Sequence, residues 1–269
     1  MQQTLAIAAL LALTATGAMA APRETQVASL DYCADQYLLK LLPRSRILAL
    51  SPDAPKHFSY MREHAANLPT VRPRAEDILG IGPDLVLRSY GGGPRASAFL
   101  QRAGIEVVQI PYAGSFADIR RATLAIANEL GVPDRGAALV AEFDARLATI
   151  QKQAAEKPTR KALYMTPTGV TSGPGTLVHE MLLTAGLENF EENPGWRSIP
   201  LEQLAYRQPD LVVAAFFDID TIRPELWSPM RHPVAKRQLQ DRPTVMLQGA
   251  WTACGAWFLL DAVEALAAR

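Results

Sequence analysis

Two glutamates occupy the same position in a short sequence motif that occurs twice in the chain. Glu76 lies seven residues before Pro83 in AEDILGIGPDLVL, and Glu202 lies seven residues before Pro209 in LEQLAYRQPDLVV. Carboxylates at matched positions in two halves of a chain can pair with two cations on a dimeric partner, which fixes register and orientation. The alternative is a pair of solvated glutamates near helix starts, stabilised by the helix dipole.

No catalytic motif accompanies these carboxylates. GIGPDL lacks the third glycine of a dinucleotide-binding fingerprint, SYGGGP lacks the Lys-Ser/Thr of a P-loop, and no Gly-x-Ser-x-Gly elbow occurs. Lys+Arg and Asp+Glu balance at 27 each without a basic run, so nothing supports nucleic-acid binding. The sequence therefore favours a binding protein over an exported α/β enzyme or a sensor module.

The first twenty residues are typical of a secretory signal. Their apolar run, TLAIAALLALTATG, is short and Ala-rich for a membrane span and ends in the small-x-small pattern Ala18-Met19-Ala20. We predict that Met1–Ala20 is cleaved near Ala20 and that the mature chain lies outside the cytoplasm. Because MQQ carries no Lys or Arg, an uncleaved N-terminal anchor is the alternative.

Strands and helices alternate along the rest of the chain. Nearly continuous apolar runs such as VASL, IEVVQI and PDLVVAAF predict mostly parallel sheets with helices on both faces, an α/β fold. Between two such stretches, apolar residues at helical spacing predict one long helix over residues 135–157. We therefore expect an N-terminal lobe over 21–134 and a C-terminal lobe over 158–269. Among the shorter segments, we predict a helix over MREHAANL and loops over TPTGVTSGPG and EENPGWRSI.

The order and spacing of several segments resemble the substrate-binding proteins of bacterial ABC importers for vitamin B12, ferric siderophores and haem. The segments that carry the resemblance are VASLDYCADQYLL, AEDILGIGPDLVL, LQRAGIEVVQI, the long helix, VHEMLLTAGLENF, PGWRSIPLEQLAYRQPDLVV and WTACGAWFLLDAVEAL. The resemblance covers essentially all of Ala21–Arg269 and implies two Rossmann-like lobes bridged by one rigid helix. It also implies a periplasmic monomer without a cofactor or enzymatic activity, which delivers a small-molecule metal chelate to an ABC permease dimer. In this family a glutamate on each lobe docks into permease arginines, and the matching positions are Glu76 and Glu202.

The ligand of such a protein is expected between the lobes. Parallel α/β sheets bind ligands beyond the carboxyl ends of their strands, and here the loops at those ends are rich in aromatic residues and arginine. Aromatic rings cover the faces of a chelate, and guanidinium groups meet its edge oxygens. The predicted ligand-binding residues are Tyr32, Tyr60, Arg72, Arg88, Tyr90, Trp196 and Trp251. Phe216, Phe217 and Asp218 fall in another such loop, whereas Trp257 is predicted to belong to the core.

Within this class, a ferric siderophore is the favoured ligand. Arginines and tyrosines suit an anionic or hydroxamate ferric chelate, and the tryptophans suit the corrin face of cobalamin. Haem ranks behind both because no His/Tyr pair is clearly placed to supply axial ligands. No metal site is predicted, because the four histidines are scattered along the chain. A receptor for a bare metal ion is therefore the least favoured alternative.

The only two cysteines, Cys33 and Cys254, fall in cleft-side loops, one in each lobe. In an oxidising compartment such a pair can form a disulfide, which would hold the lobes together at one edge of the cleft. Two buried thiols, or soft ligands to a metal, are the alternatives.

Overall fold

The computed structural model describes residues 24–215 and 228–269 of the 269-residue chain. The predicted signal sequence, Met1–Ala20, and the loop residues Phe216, Phe217 and Asp218 lie outside these ranges. Within them, no helix combines the length and the apolar character that crossing a bilayer requires.

The N-terminal lobe is built on a four-stranded parallel sheet. Its strands are β1 (Val27–Ser29), β2 (Ile47–Ala49), β3 (Leu85–Arg88) and β4 (Glu106–Gln109), in the spatial order β2-β1-β3-β4. Its helices are α1 (Tyr32–Leu41), α2 (Ala75–Ile81), α3 (Ala96–Arg102) and α4 (Phe116–Glu129), with a short 3-10 helix at Arg44–Arg46. Alternate residues of β3 face opposite layers, since Leu85 and Leu87 pack into one core and Val86 into another.

One long helix, α5 (Pro133–Ala155), connects the lobes over 23 residues. Its stripe of buried residues includes Leu139, Phe143, Leu147 and Ile150, and it packs against α4. The helix begins two residues before the predicted range 135–157, because Pro133 occupies its first turn. Amides of the first turn have no intrahelical acceptor, so a proline without an N–H is tolerated there.

The C-terminal lobe repeats the architecture of the first. Its strands are β5 (Arg160–Met165), β6 (Val170–Ser172), β7 (Leu187–Asn189), β8 (Trp196–Ser198), β9 (Leu211–Ala215) and β10 (Thr244–Leu247). Its helices are α6 (Leu177–Thr184), α7 (Leu201–Tyr206), α8 (Pro233–Asp241), α9 (Gly249–Thr252) and α10 (Leu259–Ala267), with a 3-10 helix at Pro229–Arg231. The main sheet is parallel in the order β7-β5-β9-β10.

The two sheets have equivalent strand orders, which accounts for the repeated sequence motif. Strand β3 of the first sheet corresponds to β9 of the second, and each follows a short outer helix, α2 or α7, that carries one of the two glutamates. The predicted α/β fold with parallel sheets in two lobes is therefore confirmed. One continuous hydrophobic core joins the inner layers of both lobes through α5 and α10, whereas α2 and α7 pack into separate outer cores.

The segment MREHAANL does not form the predicted helix. It folds as consecutive turns, in which the amide of His64 donates to the carbonyl of Met61 at 2.9 Å and that of Leu68 to Ala65 at 3.1 Å. The Arg44 guanidinium donates to the carbonyl oxygens of His64 and Ala66, at 2.8 and 2.6 Å. The bond to His64 occupies a carbonyl that a helix over this segment would use for its own ladder, with the amide of Leu68 as donor.

Two segments predicted as loops contain short strands. Strands β6 and β8 form an antiparallel pair, with Ser172 opposite Trp196. Three residues between glycine- and proline-rich neighbours are too few to show a strand period. This ribbon fixes the position of Trp196.

Asp35 lies fully buried where β1, α1 and the end of β2 meet. Its carboxylate accepts hydrogen bonds from the hydroxyl of Ser29, and from the hydroxyl and amide of Ser51 at 2.6 and 2.8 Å. Burial raises the pKa of Asp35 from 3.8 to about 7, and the three hydrogen bonds oppose that rise.

Stability is expected to depend on pH through Asp35. Because its pKa is higher in the folded state, the stability it contributes is complete below pH 3.8 and is lost as pH rises through about 7. Lowering the pH from 8 to 5 should raise the free energy of unfolding by about 2–3 kcal/mol more in the wild type than in Asp35→Asn. Urea unfolding of both proteins across this range measures the difference, and parallel pH profiles would contradict the assignment.

Candidate functional site

Two adjoining pockets lie at the carboxyl ends of the strands, between the lobes. We call them the N-lobe pocket, of about 610 Å³, and the C-lobe pocket, of about 230 Å³. They share Tyr112, Ala113 and the segment 253–255, so they form one cleft with this shared wall between its halves.

The described lining of the cleft is aromatic, apolar and uncharged. Apart from the shared wall, the N-lobe pocket is lined by Tyr32, Cys33, Tyr37, Ser89, Tyr90, Gln109, Ile110 and Pro111. The C-lobe pocket is lined by Tyr164, Thr166, Leu177, Val178, Met181, Trp196, Thr252 and Leu259. Among the described residues, no Asp, Glu, Lys, Arg or His side chain lines either pocket.

Three large aromatic side chains of the cleft are exposed. Tyr90 is 54% exposed, Tyr112 82% and Trp196 53%. Two of them pack against another ring on one side: the Tyr90 ring meets the Tyr32 ring edge-on at 5.8 Å, and the Trp196 ring meets the Tyr164 ring at 6.1 Å. The surface left open is suited to stacking on a flat or propeller-shaped ligand.

Asp31 organises the N-lobe half of the cleft. Its carboxylate is 2% exposed, and one oxygen accepts the backbone amides of Ser89, Tyr90 and Gly91 at 2.7, 3.0 and 2.9 Å. The other oxygen accepts the Ala34 amide, capping α1, and the Ser89 hydroxyl, both at 3.0 Å. One buried carboxylate thus joins the loop after β1 to the loop after β3, which carries Tyr90.

Close packing at Gly91 keeps this loop against β1. A Cβ atom at Gly91 would lie 2.1 Å from the carbonyl oxygen of Leu30, which leaves no room for any side chain. The Asp31 hydrogen bonds and the missing side chain at Gly91 together set the position of the Tyr90 backbone.

The tyrosines of the cleft are neutral at neutral pH and can donate hydrogen bonds, as any tyrosine with a pKa near 10 can. Partial or full desolvation raises the pKa of Tyr32, Tyr90 and Tyr164 further above the ordinary value of 10.0, because a phenolate is less well solvated there. The Tyr32 hydroxyl donates to the Ala253 carbonyl across the lobes at 2.8 Å.

Several links tie the two lobes together beside the cleft. Cys33 and Cys254 form a disulfide with a Cα–Cα distance of 5.9 Å. The Phe116 amide, at the start of α4, donates to the Glu180 carboxylate of α6 at 2.7 Å. With the Tyr32 bond, these links restrain both segments of the shared wall.

Tyr60 belongs to another set of contacts between the lobes. Its ring stacks on Phe258 at 4.5 Å, and its hydroxyl donates to Asp261 at 2.8 Å. Burial and the Asp261 carboxylate raise the pKa of Tyr60 to about 12. Arg146 of α5 also donates to Asp261, at 2.8 Å. The structure thus places Tyr60 in the joint between α5 and α10, outside both pockets.

Three other predicted ligand-binding residues lie outside both pockets. Arg72 donates from Nε and Nη2 to the Asp77 carboxylate, both at 3.0 Å, and Arg88 is 6% exposed and donates to the Ser97 hydroxyl at 2.7 Å. Trp251 packs against the main core. The structure therefore brings Tyr32, Tyr90 and Trp196 to the cleft, and its lining also includes Tyr112 and Tyr164. The prediction that Trp257 is a core residue is confirmed, since it is 6% exposed.

Both glutamates of the repeated sequence motif are exposed at equivalent helix positions. Glu76 is the second residue of α2, and Glu202 is the second residue of α7. No described residue forms an ion pair or hydrogen bond with either side chain. Two neighbouring carboxylate–guanidinium pairs are formed, since Asp77 accepts from Arg72, and Arg207 donates to Glu192 at 2.8 Å, whereas no described residue pairs with the exposed Arg74 at the N-cap of α2.

A family model described as periplasmic binding protein matches residues 10–245 of the chain. The chain belongs to the periplasmic binding protein family. No curated protein matches the sequence. Within the described residues of this family member, no group of three or more His, Cys, Asp or Glu side chains is arranged to hold a metal ion.

Solved structures show the same fold at low sequence identity. A periplasmic haem-binding protein from Roseiflexus sp. RS-1 is similar with a TM-score of 0.73 and 20% identity, over 91% of this chain and 97% of that one. A vitamin B12-binding protein of Vibrio cholerae has a TM-score of 0.63 and 20% identity, over 91% and 95%. A protein of an Fe3+-hydroxamate transport system from Saccharomonospora viridis has a TM-score of 0.64 and 21% identity, over 90% and 92%.

Proposed function

We propose that this periplasmic binding protein is the receptor of an ABC importer for an uncharged metal–organic chelate, with a cobalamin-type corrin as the best fit. The observation that carries the proposal is the cleft lining, which is aromatic on both lobes and free of charged side chains among the described residues. The protein binds and delivers this ligand and catalyses no reaction on it.

The chemistry of the lining supports a neutral ligand with broad flat faces. Tyr90, Tyr112 and Trp196 offer exposed rings that can cover a macrocycle. Neutral phenols, together with the hydroxyl and amide groups of Ser89, Thr166 and Gln109, can bond to the amide arms of a corrin.

The uncharged lining of the cleft makes anionic chelates less favoured as ligands. Arg72 and Arg88, together with the cleft tyrosines, are the sequence-based reason to favour an anionic or hydroxamate siderophore. Both guanidinium groups are engaged outside the pockets. Haem carries two carboxylates, for which the described lining offers no cationic partner. A neutral ferric trihydroxamate satisfies the charge argument and is the second candidate, although it has no flat macrocycle for the rings to cover.

The family and the surface support delivery to a permease. Glu76 and Glu202 are the docking carboxylates in this proposal, one for each subunit of a permease dimer, which their exposure and equivalent positions support. The receptor acts as a monomer in the periplasm after Met1–Ala20 is removed, and residues 21–134 and 158–269 act as its two lobes. The Cys33–Cys254 disulfide restrains the lobes at one edge of the cleft.

Tryptophan fluorescence tests the ligand assignment. Titration with cyanocobalamin, a neutral ferric trihydroxamate and haemin should give the tightest binding for cyanocobalamin. Preference for the trihydroxamate would select the second candidate. Tight binding of haemin alone, or of none of the three, would overturn the proposal.

Trp196→Ala is expected to weaken binding of the preferred chelate about tenfold, because a stacked aromatic contact and its apolar area are lost. Trp251→Ala is the matched control, since Trp251 packs against the core outside the pockets. Equilibrium dialysis measures both variants without relying on their fluorescence. Equal losses in the two variants would show that Trp196 has no specific role.

A further inference from the structure

The outward faces of α2 and α7 share more than one glutamate. On α2, Glu76 is followed at the third and fourth positions by Leu79 and Gly80, which are both exposed, whereas Ile78 is buried. Residues three and four apart lie on one face of a helix, so these three residues form one outward face.

Helix α7 presents the same arrangement with the large and small residues exchanged. Glu202 is followed at the third and fourth positions by Ala205 and Tyr206, which are both exposed, whereas Leu204 is buried. Each lobe therefore combines a carboxylate, one large apolar or aromatic side chain and one small residue. Leu79 is 41% exposed and Tyr206 is 91% exposed.

The charges around each face indicate the kind of partner. Beside α2, Asp77 is neutralised by Arg72, and after α7 the cationic Arg207 is bound to Glu192. Among the residues that the structure describes, Glu76 and Glu202 are therefore the carboxylates that remain unpaired on these two faces. A complementary surface has a basic group next to an apolar one.

We propose that Leu79 and Tyr206 are docking residues, which bury their side chains against apolar surface of the two permease subunits beside the basic groups that bind Glu76 and Glu202. This inference rests on the proposed function in assuming an ABC permease as partner, but it does not depend on which chelate is carried. The apolar contact supplies affinity, and the carboxylate supplies orientation.

Site-specific photo-cross-linking in cells of the source bacterium tests the inference without a ligand. The full-length protein carries the photoreactive residue p-benzoylphenylalanine at position 79, 206 or 124. Leu124 of α4 is the matched control, with 44% exposure against 41% for Leu79. Adducts with an ABC permease subunit, identified by mass spectrometry, are expected at positions 79 and 206 and at least about tenfold less at 124. Absence of permease adducts at 79 and 206, or equal yields at 124, would overturn the inference.

A second measurement separates the apolar contact from mere proximity. Leu79→Ser and Tyr206→Ser should each lower chelate uptake by cells about tenfold, with affinity for the chelate within twofold of wild type. Normal uptake by both variants would overturn the energetic role. Permease adducts at 79 and 206 in a protein that binds none of the tested chelates would refute the ligand assignment and support the docking surface.

Discussion

Reversing the charge of both glutamates, in Glu76→Lys with Glu202→Lys, is expected to lower chelate uptake by cells roughly 100-fold, since juxtaposed like charges cost several kcal/mol across an interface. Affinity for the chelate should stay within twofold of wild type, because both residues lie on outer helices and line neither pocket. Uptake of radiolabelled chelate and equilibrium dialysis measure the two quantities separately.

The matched control is Glu129→Lys. Glu129 is exposed at the last residue of α4, beside the amino ends of the N-lobe strands and hence at the opposite end of the sheet from the cleft. Its reversal should leave uptake unchanged. If the double reversal transports like Glu129→Lys, the glutamates are ordinary solvated side chains and the docking proposal fails.

Asp31→Asn is expected to weaken chelate binding by about 10- to 100-fold, because hydrogen bonds to a charged group contribute more than neutral ones and several are lost together. An asparagine cannot accept through both ends of its side chain, so either the amides of the Ser89–Gly91 loop or the Ala34 amide lose their acceptor. The loop would loosen, and Tyr90 with it.

Asp35→Asn is the matched control for Asp31→Asn. Both residues are buried aspartates near the start of α1, but Asp35 bonds to Ser29 and Ser51 rather than to a cleft loop. Hydrogen exchange of the segment 85–93 should speed up in Asp31→Asn and not in Asp35→Asn, whether or not the ligand is known. A double-mutant cycle with Tyr90→Ala should show that the two losses in affinity are not additive. Additive losses would mean that Asp31 acts by some route other than Tyr90.

Much of the architecture follows from local patterns in the sequence. Continuous apolar strands indicate parallel sheets, and the apolar stripe of α5 is long enough to identify a single bridging helix. The repeated motif with its Glu and Pro-Asp indicates that the two halves of the chain are related, and the equivalent strand orders of the two sheets agree with this.

The cleft is harder to predict because a loop position does not determine where a side chain goes. Arg72 lies in a loop and Arg88 at the carboxyl end of β3, where a ligand-binding arginine could lie, but nearby Asp77 and Ser97 bind their guanidinium groups. Tyr60 and Asp261 are far apart in sequence, and their hydrogen bond exists only because α10 returns to the N-lobe. Such long-range partners leave no periodic signal in either segment.

Contacts between the lobes explain why the cleft is already formed in this chain. The disulfide, the Tyr32–Ala253 bond and the Glu180–Phe116 bond all restrain the two segments of the shared wall. A receptor with such links is expected to bind with little rearrangement, which reduces the entropy lost on binding.

A crystal structure of the protein soaked with cyanocobalamin would show whether the cleft is a corrin-binding site. We expect a corrin ring in the shared cleft, in contact with Tyr90 on one lobe and Trp196 on the other, without a side-chain ion pair to the ligand. A chelate bound outside the two pockets, or one held there by arginine or lysine side chains, would contradict the proposed function.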